Sequence, residues 1–220
     1  MKQSLYDLSH HLTPETPVYP GDGGVAVEIV DTAREPAADA ERRLNVGRLS
    51  LGLHNGTHID APFHFFSDRA TIDSIPLERC CGPAVWLDLS KLVQPGIIDA
   101  IDLQPHASTI GERKKVLLST GWDEHWGATD YFSVHPVLTR KAAEWFVELG
   151  IDLVGVDFPS VDLPPFPAHI VLLGNDVLIV ENLTKISAIG SSDFHFYAIP
   201  LGIVGRDASP VRAFAMQNES

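Results

Sequence analysis

Two cysteines, adjacent at Cys80 and Cys81, are all the thiol this chain of 220 residues carries. Neighbouring cysteines rarely pair with each other and two thiols make no disulfide framework, so they read as reduced, partly buried side chains. Long apolar runs are missing too. None approaches the roughly 20 residues needed to span a bilayer, and the opening MKQSLYDLSHH lacks the apolar stretch of a secretory signal. The expectation is a cytoplasmic protein without a membrane partner. Cationic clusters are equally scarce. Against 29 Asp and Glu stand only 16 Lys and Arg, a formal net charge of −13, which disfavours nucleic acid as a partner. No GxGxxG, GxxxxGK[ST] or GxSxG pattern occurs, so nucleotide binding and a serine nucleophile elbow leave no trace.

What is present is ordinary globular material, 45% hydrophobic and 20% charged, in a length that can bury a real core. With no internal repeat or linker-like shift in composition, residues 1–220 read as one domain. VWLDLS (85–90), KVLLST (115–120), LVGVD (153–157), VLIVENL (177–183) and FYAIPLGIVG (196–205) are short, apolar and partly β-branched, as strands are. Between the second and third lies the clearest helix. Thr139 can cap it, Ala142, Phe146 and Leu149 share a face, and Gly150 ends it. Strand, helix, strand at this spacing predicts a βαβ unit in a mixed α/β fold. The first sixty-five residues contain no convincing helix, so strands and loops are expected there.

Residues 54–64, HNGTHIDAPFH, concentrate the chemistry: three histidines and one aspartate within eleven residues. A helix with His54 and His58 one turn apart is disfavoured by Gly56, Thr57, Ile59 and Pro62. A period of two sorts the segment better. His54, Gly56, His58, Asp60, Pro62 and His64 share one parity, and Ile59, Ala61, Phe63 and Phe65 share the other, facing an apolar layer. Alternate Cα atoms of a strand lie roughly 6.6 Å apart, so His58 and Asp60 can converge on one ion. Bringing His54 in as well requires a bend, which Gly56 permits. Imidazole and carboxylate without thiolate suit Zn²⁺, Mn²⁺ or Fe²⁺. Two later residues leave alternatives open. His169 follows the proline-rich DLPPFPAH and fits a loop or a helix start, whereas Glu181 interrupts an apolar strand and needs a partner that either a metal or an arginine would supply.

The stretch resembles the HxGTHxDxPxH motif of the cyclase family of metal-dependent hydrolases, which includes bacterial-type kynurenine formamidases and isatin hydrolases. His54, Gly56, Thr57, His58, Asp60, Pro62 and His64 occupy all its fixed positions. DLSHHLTPETPVYPGD, STGW (119–122), VGVDFPSVD (154–162), the run from His169 to ENL (181–183) and SPVRA (209–213) look like later family landmarks. The resemblance implies the swivelling β/β/α fold with a mixed sheet, usually in a homodimer or higher homo-oligomer. It implies that His54, His58 and Asp60 hold a first metal, with Asp60 bridging to a second held by His169 and Glu181. The ions would be Zn²⁺ or Mn²⁺, two per chain. In the isatin-hydrolase type the position of Glu181 is not a carboxylate and one metal is held, so Glu181 points to the formamidase branch.

A divalent ion lowers the pKa of bound water from about 15.7 toward 7. Amide hydrolysis also needs a proton for the leaving amine, a task suited to histidine, and the resemblance assigns it to His64. The expected reaction is hydrolysis of a small aryl or cyclic amide, N-formylkynurenine foremost; the alternatives are hydrolysis of isatin or another small carbonyl compound and, in another class, a non-catalytic metal-binding or small-molecule-binding protein. Trp122, Trp126, Tyr131 and Phe132 are candidates for an apolar pocket or for plain packing. Asp157, Ser160 and Asp162 are candidates for orienting ligands, and residues 24–49 match no motif.

Overall fold

The computed structural model describes residues 3–30, 46–92, 96–190 and 193–218. Its strands are β1 (Gln3–Asp7), β2 (Ala26–Val30), β3 (Val46–Ser50), β4 (His58–Asp60), β5 (Cys81–Asp88), β6 (Ile97–Ile98), β7 (Lys115–Ser119), β8 (Val137–Leu138), β9 (Leu153–Val156), β10 (Leu178–Glu181), β11 (Phe194–Tyr197), β12 (Ala208–Pro210) and β13 (Phe214–Asn218). The α-helices among the described residues are α1 (Ala100–Leu103), α2 (Ala107–Ile110), α3 (Arg140–Glu148) and α4 (Pro167–Gly174). Nine strands form one mixed sheet in the order β1-β13-β11-β5-β7-β9-β10-β4-β12, so the two ends of the chain meet at one edge.

The centre of the sheet, β5, β7, β9 and β10, is parallel. Strands covered on both faces read as continuous apolar runs, and every residue of β7, β9 and β10 is buried. The βαβ unit expected from the spacing is present as β7, α3 and β9, with β7 and β9 parallel neighbours. Thr139 caps α3 by accepting from the backbone N–H of Ala142 at 3.1 Å. Ala142 and Phe146 face the core, but Leu149 is 37% exposed, because the helix ends at Glu148 and Leu149 is already its C-cap.

A second parallel crossover, β9–α4–β10, carries the later candidate residues. Strands β7, β9 and β10 fall within the predicted runs, and β5 overlaps the run 85–90 but begins four residues before it, at Cys81. The run 196–205 does not continue as a strand. β11 stops at Tyr197, and Pro200 and Gly202 follow in irregular chain, since proline cannot donate to a ladder. Cores lie on both faces of the sheet. One packs β5, β7 and β9 against α3 and α4, and the other gathers Leu8, Ile59, Leu117, Val180 and Phe196. Cys80 and Cys81 are free thiols, as their adjacency implied. Of the unmatched segment 24–49, β2 and β3 pair as a separate ribbon, and residues 31–45 lie outside the described residues.

Candidate metal centre

The motif is extended only over His58–Asp60; Pro62–His64 forms a 3₁₀ turn. Strict alternation to Phe65 therefore fails, as Pro62 starts the turn with the φ its ring imposes. Before β4 the chain bends as expected. Gly56 has φ +67, and a Cβ there would sit 2.7 Å from Leu12 Cδ2, so this position requires glycine on two counts.

Pairing supplies the next ligand. β4 runs antiparallel to β10 with Glu181 directly opposite His58, so the two side chains share a face. His58 Nε2 lies 3.4 Å from Glu181 Oε2 and 3.5 Å from Asp60 Oδ1. α4 brings His169 to the other side, its Nε2 3.4 Å from Glu181 Oε1 and 3.9 Å from Asp60 Oδ2. His54 Nδ1 approaches Asp60 Oδ1 to 2.9 Å. All five expected ligands thus converge on one buried point at the carboxyl ends of β9 and β10, where open α/β sheets bind ligands.

Outward-facing nitrogens are tied down. His58 donates Nδ1–H to the Gly56 carbonyl at 2.9 Å, and His169 donates Nδ1–H to Asp162 Oδ1 at 2.6 Å. His54 donates Nε2–H to Asp207 Oδ2 at 2.8 Å. The inward atoms have no such partners. His58 Nε2 and both oxygens of Asp60 are buried without a hydrogen bond, the 2.9 Å approach of His54 lacking the alignment for one. A buried carboxylate with nothing on either oxygen is costly, and a cation shared by these lone pairs is the group that would relieve it. Among the described residues no Arg or Lys pairs with Glu181. The other partner considered for it, an arginine, is thus not there; instead Val161 donates its backbone N–H to Oε1 at 2.9 Å. The donor set of nitrogen and oxygen fits a divalent ion.

Among the described residues two groups have mutually close ligand atoms, His54–Asp60–His64 and His58–Asp60–Glu181, with Asp60 common to both. His64 therefore stands within ligand reach as well as on the open side of the site. In the metal-free protein, burial works against protonation of His54 and His169. Asp60 and Asp207 nevertheless hold His54 up at about 10, and Asp162 and Glu181 do the same for His169.

The supporting residues sort themselves. Asp162 also takes the backbone N–H groups of Ala168 and His169, capping α4, and Ser160 donates to the Asp162 carbonyl at 2.8 Å. Asp157 is one step removed: it accepts from Thr120 and Gly121 and holds the turn after β7, and burial pushes it up to about 7 against those donors. Asn182, in the left-handed region at φ +57, receives Tyr131 Oη–H and donates to the Gly56 carbonyl, locking the bend to the end of β10.

A cavity of about 320 Å³ opens over the centre, with Tyr19, Asp22, Phe65, Phe132 and Phe166 in its wall. Of the four aromatics considered from sequence only Phe132 is there. Trp122 and Tyr131 are core residues, and Trp126 stacks on His10 at 3.8 Å. Phe65, placed in one apolar layer with Ile59 and Ala61 by alternation, packs instead against the other core and stacks on His169 at 5.0 Å, because the 3₁₀ turn swings it over the site. Tyr19 and Asp22 are the ends of a turn closed by Asp22 N–H to the Tyr19 carbonyl, with Pro20 and a positive-φ Gly21 between them. Asp207 is the residue that sequence reasoning missed. It reaches the motif from just before β12, and only its nearness to SPVRA hinted at it.

Residues 6–163 match the family model described as "Putative cyclase". The kynurenine formamidase of Bacillus cereus is 33% identical over 217 residues, 97% of this chain and 98% of that protein. That of Bordetella avium is 30% identical over 215 residues, covering 95% and 96%. Among solved structures, isatin hydrolase A from Labrenzia aggregata, bound to benzyl benzoate, superposes with a TM-score of 0.86 at 26% identity, covering 99% of this chain and 94% of that one. A potential metal-dependent hydrolase with cyclase activity gives 0.82 at 25%, covering all of both. With the motif, the mixed sheet and the converging ligands in agreement, this chain belongs to the cyclase family and is one of its metal-dependent hydrolases.

Proposed function

We propose that this protein is an arylformamidase-like amidase that hydrolyses N-formylkynurenine or a close aryl formamide, using two Zn²⁺ or Mn²⁺ ions held by His54, His58, Asp60, His169 and Glu181. The observation that carries the two-ion reading is Glu181 opposite His58, a second carboxylate beside Asp60, with no Arg or Lys among the described residues paired to either. When bound, such ions polarise a carbonyl oxygen and make water a nucleophile near neutral pH. The chain's own residues do the rest. Phe65, Phe132, Phe166 and Tyr19 can hold a planar ring and shed water from it, and Asp22 in the same wall suits an ammonium group on the substrate. His64 is the proton carrier, delivering to the departing aryl amine nitrogen the proton it needs as the C–N bond breaks. Formate and the aryl amine are the products.

The formamidase relatives, similar over nearly their whole length, support this substrate. Hydrolysis of a cyclic amide is the second reading, favoured by the likeness to isatin hydrolase A. The free thiols of Cys80 and Cys81 agree with a reducing, cytoplasmic setting. The β2–β3 ribbon, with Val27 50% and Leu49 52% exposed, is a surface that a second copy in a homodimer would cover. A sheet joining both ends of the chain agrees with a single domain over 1–220.

The test is metal content by mass spectrometry together with turnover of N-formylkynurenine and isatin. Two equivalents with formamide turnover, Glu181→Gln reduced toward one equivalent, and His64→Ala inactive with full metal are the expected results. One equivalent after metal add-back, with isatin opened and the formamide untouched, would transfer the assignment to the cyclic amide. Loss of metal in His64→Ala would make His64 a ligand.

A further inference from the structure

We infer that Asp207 is a positioning residue whose single oxygen Oδ2 fixes the tautomers of both His54 and His64, coupling the metal ligand to the proton carrier. That oxygen lies 2.8 Å from His54 Nε2 and 3.3 Å from His64 Nδ1, and the two rings lie 4.3 Å apart, tilted by 39°. An ionised carboxylate only accepts, so both contacting nitrogens carry hydrogen. In the neutral ring that metal binding requires, the lone pair of His54 is then on Nδ1, the atom 2.9 Å from Asp60 Oδ1. His58 and His169 do the reverse, donating Nδ1–H and presenting Nε2. His54 therefore ligates through the opposite nitrogen from its two companions, and Asp207 is the reason.

For His64 the same oxygen leaves Nε2 as the nitrogen with a free lone pair. Among the described residues its side chain makes no other hydrogen bond, so nothing else selects its tautomer. The anchor is firm. The Asp207 carbonyl accepts the backbone N–H of Ala61 at 2.8 Å, tying the start of β12 to the end of β4 whatever the side chain is. A partner of this kind orients a ligating imidazole and commonly contributes about 10–100-fold in metal affinity or activity.

The inference rests on the hydrolase reading for turnover only; tautomers and metal affinity are independent of any substrate. The experiment compares wild type with Asp207→Ala and Asp207→Asn, as full chains loaded with zinc. Imidazole ¹⁵N spectra should show a single Nδ1–H tautomer of His64 in wild type and a mixture in Asp207→Ala. Zinc affinity by chelator competition should fall about 10–100-fold. With N-formylkynurenine, kcat should fall by a similar factor at nearly constant KM. Asp207→Asn keeps an acceptor oxygen and should fall between the two, and it decides the same readings if the alanine variant does not fold. Retention of a single His64 tautomer and of wild-type zinc affinity would overturn the inference. Absence of turnover in wild type would instead defeat the formamidase proposal, leaving the spectra and zinc affinity to judge Asp207.

Discussion

Replacing Asp162 by asparagine should separate folding from metal binding in a measurable way. Its two oxygens serve three donors: His169 Nδ1–H at 2.6 Å, the His169 backbone N–H at 3.2 Å and the Ala168 backbone N–H. An amide offers one acceptor oxygen. Its NH₂ must face either the imidazole N–H or the two helix N–H groups, leaving at least one buried donor opposite another donor. An unmet buried donor costs about 1–3 kcal/mol, and loss of negative charge at a helix N-terminus adds about 0.3–1 kcal/mol. A central figure of about 2 kcal/mol lowers the Tm of a chain this long by roughly 4–8 °C. Freed from its carboxylate, His169 also loses the restraint that points Nε2 at Glu181 and Asp60, so metal affinity should fall about 10–100-fold. Melting curves of metal-free and zinc-loaded protein, with chelator competition, give both numbers. A lowered metal-free Tm with wild-type zinc affinity and stoichiometry would refute the orienting role and reduce Asp162 to a helix cap.

Gly155 leaves no room for a side chain in the central sheet: a Cβ there would lie 2.5 Å from Leu117 Cδ2 and 2.8 Å from Leu183 Cδ1, both leucines fully buried. Gly155→Ala should cost about 1–3 kcal/mol in urea unfolding, and an unchanged midpoint would mean the two leucines repack freely. His10, stacked on Trp126, is depressed to about 4 by burial, with Asp123 opposing. A histidine lowered in the folded state is neutral there while the unfolded chain takes a proton. Its contribution is thus present above about 6.5 and lost as pH falls toward 4. The Tm of wild type should therefore drop relative to that of His10→Gln between pH 7 and 5, and parallel curves would show that His10 does not titrate on unfolding.

Much of the site was legible because it is local. His58 and Asp60 converge through strand periodicity, and the need for a bend at Gly56 follows from the distance to His54. The parallel centre was legible for a related reason. Strands buried on both faces leave continuous apolar runs, and a capped amphipathic helix between two of them implies a crossover. Where a turn interrupts regularity the same reasoning failed. Pro62 turns Phe65 away from the layer of Ile59 and Ala61 and over His169, and Leu149 lies past the end of the helix that was to bury it. The pocket aromatics were equally illegible, since a bulky ring in sequence does not reveal whether it faces a core or a cavity.

The sequence by itself determined the chemistry on offer: the imidazoles and carboxylate of the motif, the bend that gathers them, and the family to which the pattern belongs. The tertiary structure alone decided which distant groups complete that chemistry. Glu181 meets His58 through the register of β4 on β10, Asp162 aims His169 from the loop before α4, and Asp207 reaches His54 and His64 from 153 and 143 residues away. Local spacing is encoded in covalent geometry, whereas register and crossover are set by how the whole apolar surface is buried. Only the folded chain therefore shows which nitrogen each histidine presents.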